Sequence, residues 1–479
     1  MSKKEDKNNI FSEFEAASKN EWLAEVGNSV NEKQTDVWVW HTPQGFSIDA
    51  YYTENELTPI AYLTDFQTHG RDGLKQLKKW EYRELVAVKS GKLESVNQEA
   101  ATALASGAEG IIFDLDTIDT REFDLELLLR NIHLTENSLS FRCQGKIASV
   151  FDSLSHYLTK EKLSPACLQG TLYADPIAHW SLTGHPYENS LDELVYCIGK
   201  ISDLPGINFL SVRSDHFHAA GANLVQELAF VLNAVVAYLD QFTNEGIDAG
   251  KIARKIEFSV AVGSSYFMEI VKLRALKILF SKIVQAYGER DFSAADVHIH
   301  VISASRSKTI REPYTNIVRN TAEAMAAILG GCYSLTLLPF DQAYENSGAF
   351  AQRISRNISL LLREEAHFEK VNDPVAGSYY IAQLTDKLAE HAWQLFLKVE
   401  AMGGFIEAFK RGFIQEEVER SAKERLTHLK SDKQVLIGVN KYQSGENYAE
   451  LGKIKSRKMT QHEKLTYPLL TSLPIEEDK

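Results

Sequence analysis

The sequence has few cysteines and no long apolar run, and each shortage excludes a class of protein. Its four cysteines are far apart and form no CxxC pair. That spacing argues against a zinc ribbon or a disulfide framework and favours a reducing, cytoplasmic location. No stretch of about 18 apolar residues occurs, so we expect no transmembrane helix. The polar start, MSKKEDKNNIFSEFE, lacks the apolar region of a secretory signal.

Basic residues and short catalytic signatures are also scarce. There are 52 Lys and Arg residues against 65 Asp and Glu residues, which gives a net charge of −13. Such an acidic balance gives no support for nucleic acid or an anionic membrane as a partner. No GxSxG or Walker pattern occurs, and no GxGxxG follows a predicted strand. The last absence weakens the dinucleotide-binding version of an open α/β sheet.

What the sequence does have is a regular alternation of strand and helix signals from about residue 81 onward. Eight short, β-branched runs stand at 82–90, 110–115, 138–143, 168–176, 207–215, 256–264, 297–303 and 332–340. The segments between them carry helical periodicity, as in 219–241, where Leu224, Leu228, Val231 and Leu232 recur at spacings of three and four. Eight strand–helix units predict an α/β fold, a (β/α)8 TIM barrel with parallel strands and right-handed crossovers. An open doubly wound sheet is the alternative.

The signal divides the chain into four parts. Residues 1–80 read as an N-terminal extended arm that binds a partner, with its first ten residues disordered. The barrel occupies 81–345, a C-terminal helical extension packed on it occupies 346–445, and a polar tail occupies 446–479. The first helix of the extension is expected to bury one face, formed by Phe350, Ile354, Ile358, Leu361 and Leu362.

Histidines are the candidate chemistry. Asp215, His216 and His218 follow the fifth strand, and barrel active sites lie at the C-terminal ends of strands. In extended backbone His216 and His218 would face the same way and could bind a metal. His298 and His300 offer a second HxH, but His298 opens its strand and should lie at the opposite end. We therefore favour hydrogen-bonded strand residues there and expect no metal site. His216 can instead act as a general acid or hydrogen-bond donor.

Three long stretches then resemble a known family. They are PYTNIVRNTAEAMAAILGGCYSLTLLPFDQA (313–343), RISRNISLLLREEAHFEKVNDPVAGSYYIAQLTDKLAEHAWQLFLKVEAMGGF (353–405) and IGVNKY (437–442). The chain resembles the acyl-CoA mutases that use adenosylcobalamin, methylmalonyl-CoA mutase above all, across about residues 10–445. The resemblance implies the same (β/α)8 barrel. It also implies radical chemistry, in which a cobalt–carbon bond splits, a hydrogen atom is abstracted and a carbonyl-bearing group migrates inside the barrel.

The substrate-binding motifs of that family are altered here. The family's SGYHxQEAGA reads RSDHFHAAGA, so His216 falls on the histidine that hydrogen-bonds the thioester carbonyl. Tyr173 replaces a substrate-facing glutamine, in GTLYAD for GTIQND, and Ile302 replaces another, in HVISAS for HCQTSG. Thr183 stands where the carboxylate-binding arginine would be, and the loop before the first strand differs throughout. Because Thr, Ile and Tyr cannot replace a bidentate arginine and two amides, we expect these positions to be non-functional and His216 to be a vestige.

The resemblance also implies what is missing and what compensates for it. The cobalt-binding DxHxxG has only a near match, DHFHAAG (215–221), so we expect no cobalamin-binding domain and no cofactor bound by this chain. The pattern is similar to that of the small, non-catalytic subunit of heterodimeric family members. The large catalytic subunit would then be the partner. It would bind adenosylcobalamin and the coenzyme A thioester, and the complex would interconvert methylmalonyl-CoA and succinyl-CoA.

In that interpretation this chain is an inactive scaffold that meets the partner through its arm and barrel helices. Two alternatives remain. One is an active acyl-CoA mutase barrel that uses a separate cobalamin-binding chain. The other is a metal-dependent barrel hydrolase that uses His216 and His218.

Overall fold

The computed structural model describes residues 18–29, 39–49, 51–56, 80–116, 124–184, 188–344 and 348–446, with the single residues 448, 451 and 470. The polar start and nearly all of the predicted tail lie outside these ranges, so the expectations for them stay predictions. None of the helices described combines the length and the apolar character that a bilayer crossing requires.

The described strands form a closed parallel barrel and one small antiparallel pair. The pair is β1 (Trp40–His41) and β2 (Ser47–Ile48). The barrel strands are β3 (Glu81–Ala87), β4 (Gly110–Asp114), β5 (Ser138–Arg142), β6 (Gly170–Tyr173), β7 (Ile207–Asn208), β8 (Leu210–Arg213), β9 (Ile256–Val262), β10 (His298–Ser303) and β11 (Ser334–Thr336). They follow the order β7-β6-β5-β4-β3-β11-β10-β9-β8. Segments β7 and β8 are one interrupted strand, and because β7 pairs with β6 while β8 pairs with β9, it closes the barrel. The predicted (β/α)8 barrel is confirmed.

Helices surround the sheet and continue beyond it. They are α1 (Lys19–Ser29), α2 (Leu93–Ala105), α3 (Leu125–Leu128), α4 (Ile147–Lys160), α5 (Pro176–Thr183), α6 (Glu188–Gly199), α7 (Asp215–Ala220), α8 (Leu224–Asn244), α9 (Ala249–Ala253), α10 (Tyr266–Ala286), α11 (Thr315–Leu329), α12 (Ala349–Glu364), α13 (Tyr379–Glu400), α14 (Gly404–Lys410) and α15 (Phe413–Lys430). Helix α8 begins with a reciprocal capping box, in which Asn223 and Gln226 each bond the other's backbone N–H. Helix α13 packs against α8 and α10, so the extension lies on the barrel's helical layer.

Strand alternation separates the apolar core from a polar interior. Phe258 and Val260 on β9 and Ile299 on β10 join the large core between sheet and helices. Successive side chains on a strand point to opposite faces, so their neighbours Ser259 and His300, which pair in register, point inward. All seven residues of β9 are buried, as expected for a parallel strand covered on both faces. The inward residues therefore decide what the barrel can bind.

The buried face of α12 is only partly the predicted one. Ile358 and Leu362 are buried, but Phe350 is 65% exposed and Leu361 is 48% exposed, so the prediction was wrong for these two. Polar residues share the buried face: Ser355, Arg356, Ser359 and Arg363.

The buried arginines of α12 explain that difference, because the barrel supplies carboxylates for them. Arg356 pairs with Glu84 of β3. Arg363 donates to both oxygens of Glu109, at 2.6 and 2.7 Å, and to the Trp80 carbonyl at 2.6 Å. Paired in this way, an arginine can be buried at positions that a periodicity argument assigns to solvent.

The described parts of the arm pack on this chain's own helix α13. Phe46 is buried, and its ring centroid lies 4.9 Å from that of His391. Lys387 donates to the Ser47 carbonyl at 2.7 Å, and Gln383 donates to the Glu56 carbonyl. A role for the arm in binding a partner stays a prediction.

Candidate functional site

A buried hydrogen-bonded network fills the barrel interior at the level of β3, β6 and β9. The Arg83 side chain lies 3.0 and 3.1 Å from the two carboxylate oxygens of Glu257, and it also pairs with Glu81 at 3.0 Å. The Tyr173 hydroxyl donates to Glu257 at 2.7 Å and accepts from Arg83 at 3.0 Å. The Arg83 and Glu257 side chains are 2% and 0% exposed, so these charges are compensated entirely by each other and their neighbours.

Tyr173, a predicted site residue, belongs to this network and has no free polar group. Burial, and then the Glu257 carboxylate, raises the pKa of Tyr173 well above its usual range, so the phenol stays neutral. Its ring also meets His300 edge-on, with 5.5 Å between centroids. A side chain held by two hydrogen bonds and an aromatic contact is fixed in place rather than presented to a ligand.

Thr183 lies at the C-terminal mouth of the barrel and shares one small cavity with Tyr173. The cavity measures about 160 Å³ and is also lined by Arg142 and Arg213. The Thr183 hydroxyl donates to the His179 carbonyl at 2.8 Å, one turn back in α5. Thr183 therefore offers no cation at the position where the resemblance places a carboxylate-binding arginine.

Arg213 has a bidentate partner of its own. It donates to the two carboxylate oxygens of Asp215 at 3.0 and 2.7 Å. Burial works against ionisation of Asp215, but the guanidinium holds the pKa of that carboxyl below its usual value. The ion pair lies within the chain, so this arginine is already neutralised.

Ile302 lies in an apolar environment on the inward face of β10. It is 8% exposed and packs with Ala261 and Ala304, with Leu338 beside them. In the register of the sheet it stands opposite Ala261 on one side and Thr336 on the other. Nothing at this position donates or accepts in the way that an amide would.

His216 is buried in the first turn of α7. It is 5% exposed, its ring centroid lies 3.9 Å from that of Phe217, and both ring nitrogens lack a hydrogen-bond partner among the residues described. Burial lowers the pKa of His216 to about 3, so the imidazole is neutral at pH 7. His216 does not line the 160 Å³ cavity. The structure therefore brings Tyr173 and Thr183 together but leaves His216 and Ile302 apart from them.

The metal hypothesis depends on His216 and His218 facing the same way, and that expectation was wrong. The chain leaves the sheet after Arg213 and forms helix α7, which ends at Gly221 with a φ of +113°. Residues two apart on a helix point to widely different directions. His218 turns to Glu227, with 2.7 Å between its Nδ1 and the carboxylate. Among the residues described, no three His, Cys, Asp or Glu side chains are grouped as a metal site would require.

The second HxH has structural partners. His298 opens β10 and stacks on Tyr333, with 4.3 Å between ring centroids. His300 shares a hydrogen bond of 2.9 Å between its Nδ1 and the Ser334 hydroxyl. Burial, and then the charge of Arg83, lowers the pKa of His300 well below its usual range. These are the strand contacts that we favoured over metal binding.

A larger cavity, of about 630 Å³, lies beside α7 and was not anticipated. It is bounded by the loops after β8, β9 and β10, by the β1–β2 hairpin and by α15. Two arginines line it, Arg306 from the loop after β10 and Arg425 from α15. No motif marks them, but Arg142, Arg213 and Arg306 each stand at or just after the end of a barrel strand. That shared position is the sequence signal that could have identified the arginine-rich mouth.

Comparisons with known proteins agree with the resemblance seen in the sequence. A family model described as methylmalonyl-CoA mutase matches residues 116–467. A protein named methylmalonyl-CoA mutase small subunit, from Porphyromonas gingivalis, is 32% identical over 91% of this chain and 71% of its own length. A methylmalonyl-CoA mutase from Rhizobium meliloti is 31% identical over 84% of this chain, and a methylmalonyl-CoA mutase large subunit from P. gingivalis is 28% identical over 84%. The chain spans 61% of the length of each of these two.

Proposed function

The chain belongs to the methylmalonyl-CoA mutase family, and from this premise we propose that it is the small, non-catalytic subunit of a heterodimeric mutase. The complex interconverts methylmalonyl-CoA and succinyl-CoA in the cytoplasm, and its large subunit carries the catalytic site. This chain serves as a scaffold that stabilises the large subunit. Both a small and a large subunit from one organism stand among its relatives, which supports a two-chain assembly.

The observation that carries the proposal is the filled barrel interior. The resemblance implies that catalytic members hold the acyl chain inside the barrel. Here that space is taken by Arg83, Glu257 and Tyr173, three side chains that satisfy one another. To admit an acyl chain, the protein would have to break a buried ion pair, and a charge left unpaired in that way costs about 3–5 kcal/mol.

The other substituted positions support the same conclusion. Thr183 and Ile302 provide neither the guanidinium nor the amide that a substrate carboxylate and carbonyl would need. The remaining cavity beside Tyr173, about 160 Å³, is too small for a coenzyme A thioester, since pockets for drug-sized ligands measure about 300–1,000 Å³. The vestigial His216 is buried and does not line that cavity.

The residues do not fit adenosylcobalamin, which supports binding of the cofactor by the large subunit. The near match to the cobalt-binding motif, residues 215–221, forms helix α7. Its His216 is buried, and its His218 is engaged by Glu227. Neither imidazole is free to reach out of the protein as a ligand to cobalt. No step of the reaction is therefore assigned to this chain.

Barrel helices supply the surface on which we propose the large subunit packs. Val318 of α11 is 69% exposed and Phe350 of α12 is 65% exposed. Phe350 and Tyr314, which is 42% exposed, both pack on the buried ring of Phe340, with 6.3 and 5.3 Å between ring centroids, so the two exposed rings lie close to each other. Apolar patches exposed in this way are typical of protein–protein contacts. Replacing Phe350 by Ser should weaken pairing without unfolding the chain.

The test is co-expression with the cognate large subunit, followed by mutase assays on each chain and on the pair. We expect adenosylcobalamin-dependent turnover from the large subunit or the pair, and none from this chain. His216→Ala in this chain should leave the rate of the pair unchanged. Turnover of methylmalonyl-CoA by this chain alone would show that the scaffold proposal is wrong. Turnover only when a separate cobalamin-binding protein is added would favour an active mutase barrel.

A further inference from the structure

The 630 Å³ cavity is lined by two arginines, and neither forms an ion pair with a carboxylate among the residues described. Arg306 is 7% exposed, and its hydrogen bond to protein goes from Nη1 to the His218 carbonyl at 2.9 Å. Arg425 makes no hydrogen bond or ion pair among the residues described, and its Nε is buried. A guanidinium has five N–H donors, so most donors of this pair are unused by the protein.

The lysine that neutralises the buried carboxylates of the cavity leaves its two arginines without an ion-pair partner in the described part of the chain. The buried carboxylates Glu227 and Glu269 are both taken by Lys272, at 3.0 and 2.6 Å. The cavity is lined by three acidic residues, Glu227, Glu269 and Glu424, and by three basic ones, Arg306, Arg425 and Lys433. With Lys272, which bonds to two of these carboxylates, the formal charge of the group is +1. Burial, and then the charge of Arg425, lowers the pKa of Arg306 to about 9, and burial lowers the pKa of Arg425. Glu227 acts in the opposite direction on both guanidinium groups, and Glu269 on Arg425, so the cost of burial is offset only in part within the chain.

Two helix N-termini border the same cavity. Asn223 and Leu224 begin α8, and Gly263, Ser264 and Ser265 lead into α10. Backbone N–H groups and the helix dipole favour negative charge at such ends. Ser265, which precedes α10, makes no capping bond with its side chain. The hairpin residue Trp40 adds an apolar side chain to the lining.

We propose that this cavity binds a phosphate-bearing small molecule between Arg306 and Arg425. Two guanidinium forks match the several oxygens of a phosphate group better than the two oxygens of a carboxylate. The volume of about 630 Å³ lies within the range for small-molecule sites, and it exceeds what a bare phosphate ion fills. The site lies apart from the filled barrel interior and does not depend on the proposed role as a mutase subunit.

The experiment measures binding to the full chain by calorimetry, with inorganic phosphate, adenosine monophosphate and citrate as separate probes at matched ionic strength. The variants are Arg306→Gln and Arg425→Gln. The matched control is Arg420→Gln, which removes the same charge from the exposed side of α15, where Arg420 pairs with Glu417. We expect saturable binding of the phosphate probes, weakened about tenfold or more by each cavity variant, which corresponds to about 1.4 kcal/mol. The control variant should bind as the wild type does.

Thermal unfolding without ligand separates a binding role from a structural one. If Arg425 is a binding residue, Arg425→Gln should unfold at the wild-type temperature or above, because it removes a partly buried charge that has no ion-pair partner among the residues described. A bound phosphate should raise the unfolding temperature of the wild type and of the Arg420→Gln control only. Failure of every phosphate probe to bind, equal weakening by all three variants, or tighter binding of citrate than of either phosphate would overturn the proposal.

Discussion

Replacing Glu257 by Gln should destabilise the chain strongly, because the change removes the central carboxylate of the barrel interior. Loss of one partner from a buried ion pair costs about 3–5 kcal/mol. The new amide at this position would keep one oxygen as an acceptor for Tyr173 or Arg83, and Glu81 would still pair with Arg83. These remaining contacts offset part of the loss, so we expect the free energy of unfolding to fall by about 2–4 kcal/mol.

The assay is urea unfolding of the isolated chain, followed by circular dichroism, with turnover of the two-chain complex measured alongside. Glu126→Gln is the control, because Glu126 pairs with Lys160 on the surface, where both side chains are about half exposed. An exposed pair contributes at most about 1 kcal/mol, so the control should hardly move the urea midpoint. If Glu257→Gln leaves the midpoint unchanged but abolishes turnover of the complex, the network is a working site and our reasoning fails.

Three further changes test other parts of the structure. His216→Phe should make the chain more resistant to acid. In the wild type, the histidine binds a proton below about pH 6.5 when the chain is unfolded but only near pH 3 when it is folded. The free energy of unfolding of the wild type therefore falls by up to about 1.4 kcal/mol for each pH unit between these two values. Urea midpoints at pH 7 and pH 5 measure the difference, and an unchanged pH dependence in the variant would contradict it. Asn223→Ala removes the α8 capping box and should lower the free energy of unfolding by about 1 kcal/mol, measured in the same way. Asn223→Asp, which keeps a side-chain acceptor, should retain most of this stabilisation. Arg363→Met leaves the partly exposed Glu109 unpaired and should cost about 1–3 kcal/mol, and no measurable loss would show that the pair is redundant.

The barrel could be predicted from the sequence because its strands are short apolar runs bounded by helices of regular period. All eight predicted positions hold a strand or a strand pair. The interruption of the fifth strand could not be predicted, since INFLSVRSD has neither glycine nor proline at or beside Phe209, where the strand breaks. The N–H groups of Phe209 and Leu210 both point to the Lys255 carbonyl, at 3.1 and 3.4 Å. This doubled contact depends on the segment that leads into the adjacent strand β9, so it cannot be predicted from the sequence of the fifth strand itself.

The candidate site was harder to predict, because the prediction applied the two-residue alternation of strand side chains beyond Arg213, where β8 ends. His216 and His218 share a face only if the backbone stays extended, yet Gly221 adopts the positive φ that ends a helix. Glycine in that place, five residues after His216, is the signal that favours a short helix over a longer strand. The Arg83–Glu257–Tyr173 network could not be predicted from local sequence patterns for a different reason, because its members are up to 174 positions apart in the chain.

Arginines that are buried or partly buried are of two kinds in this barrel, and the difference separates scaffold from candidate ligand site. Arg83, Arg356 and Arg363 each meet a carboxylate supplied by the fold, so their burial is compensated whether or not anything binds. Arg306 and Arg425 have no such partner among the residues described, and they border an open cavity rather than a packed interior. A protein gains nothing in stability from an unmatched buried cation. An anion from outside the chain would supply the missing compensation, and for this reason we locate ligand binding at these two arginines and not at the vestigial His216.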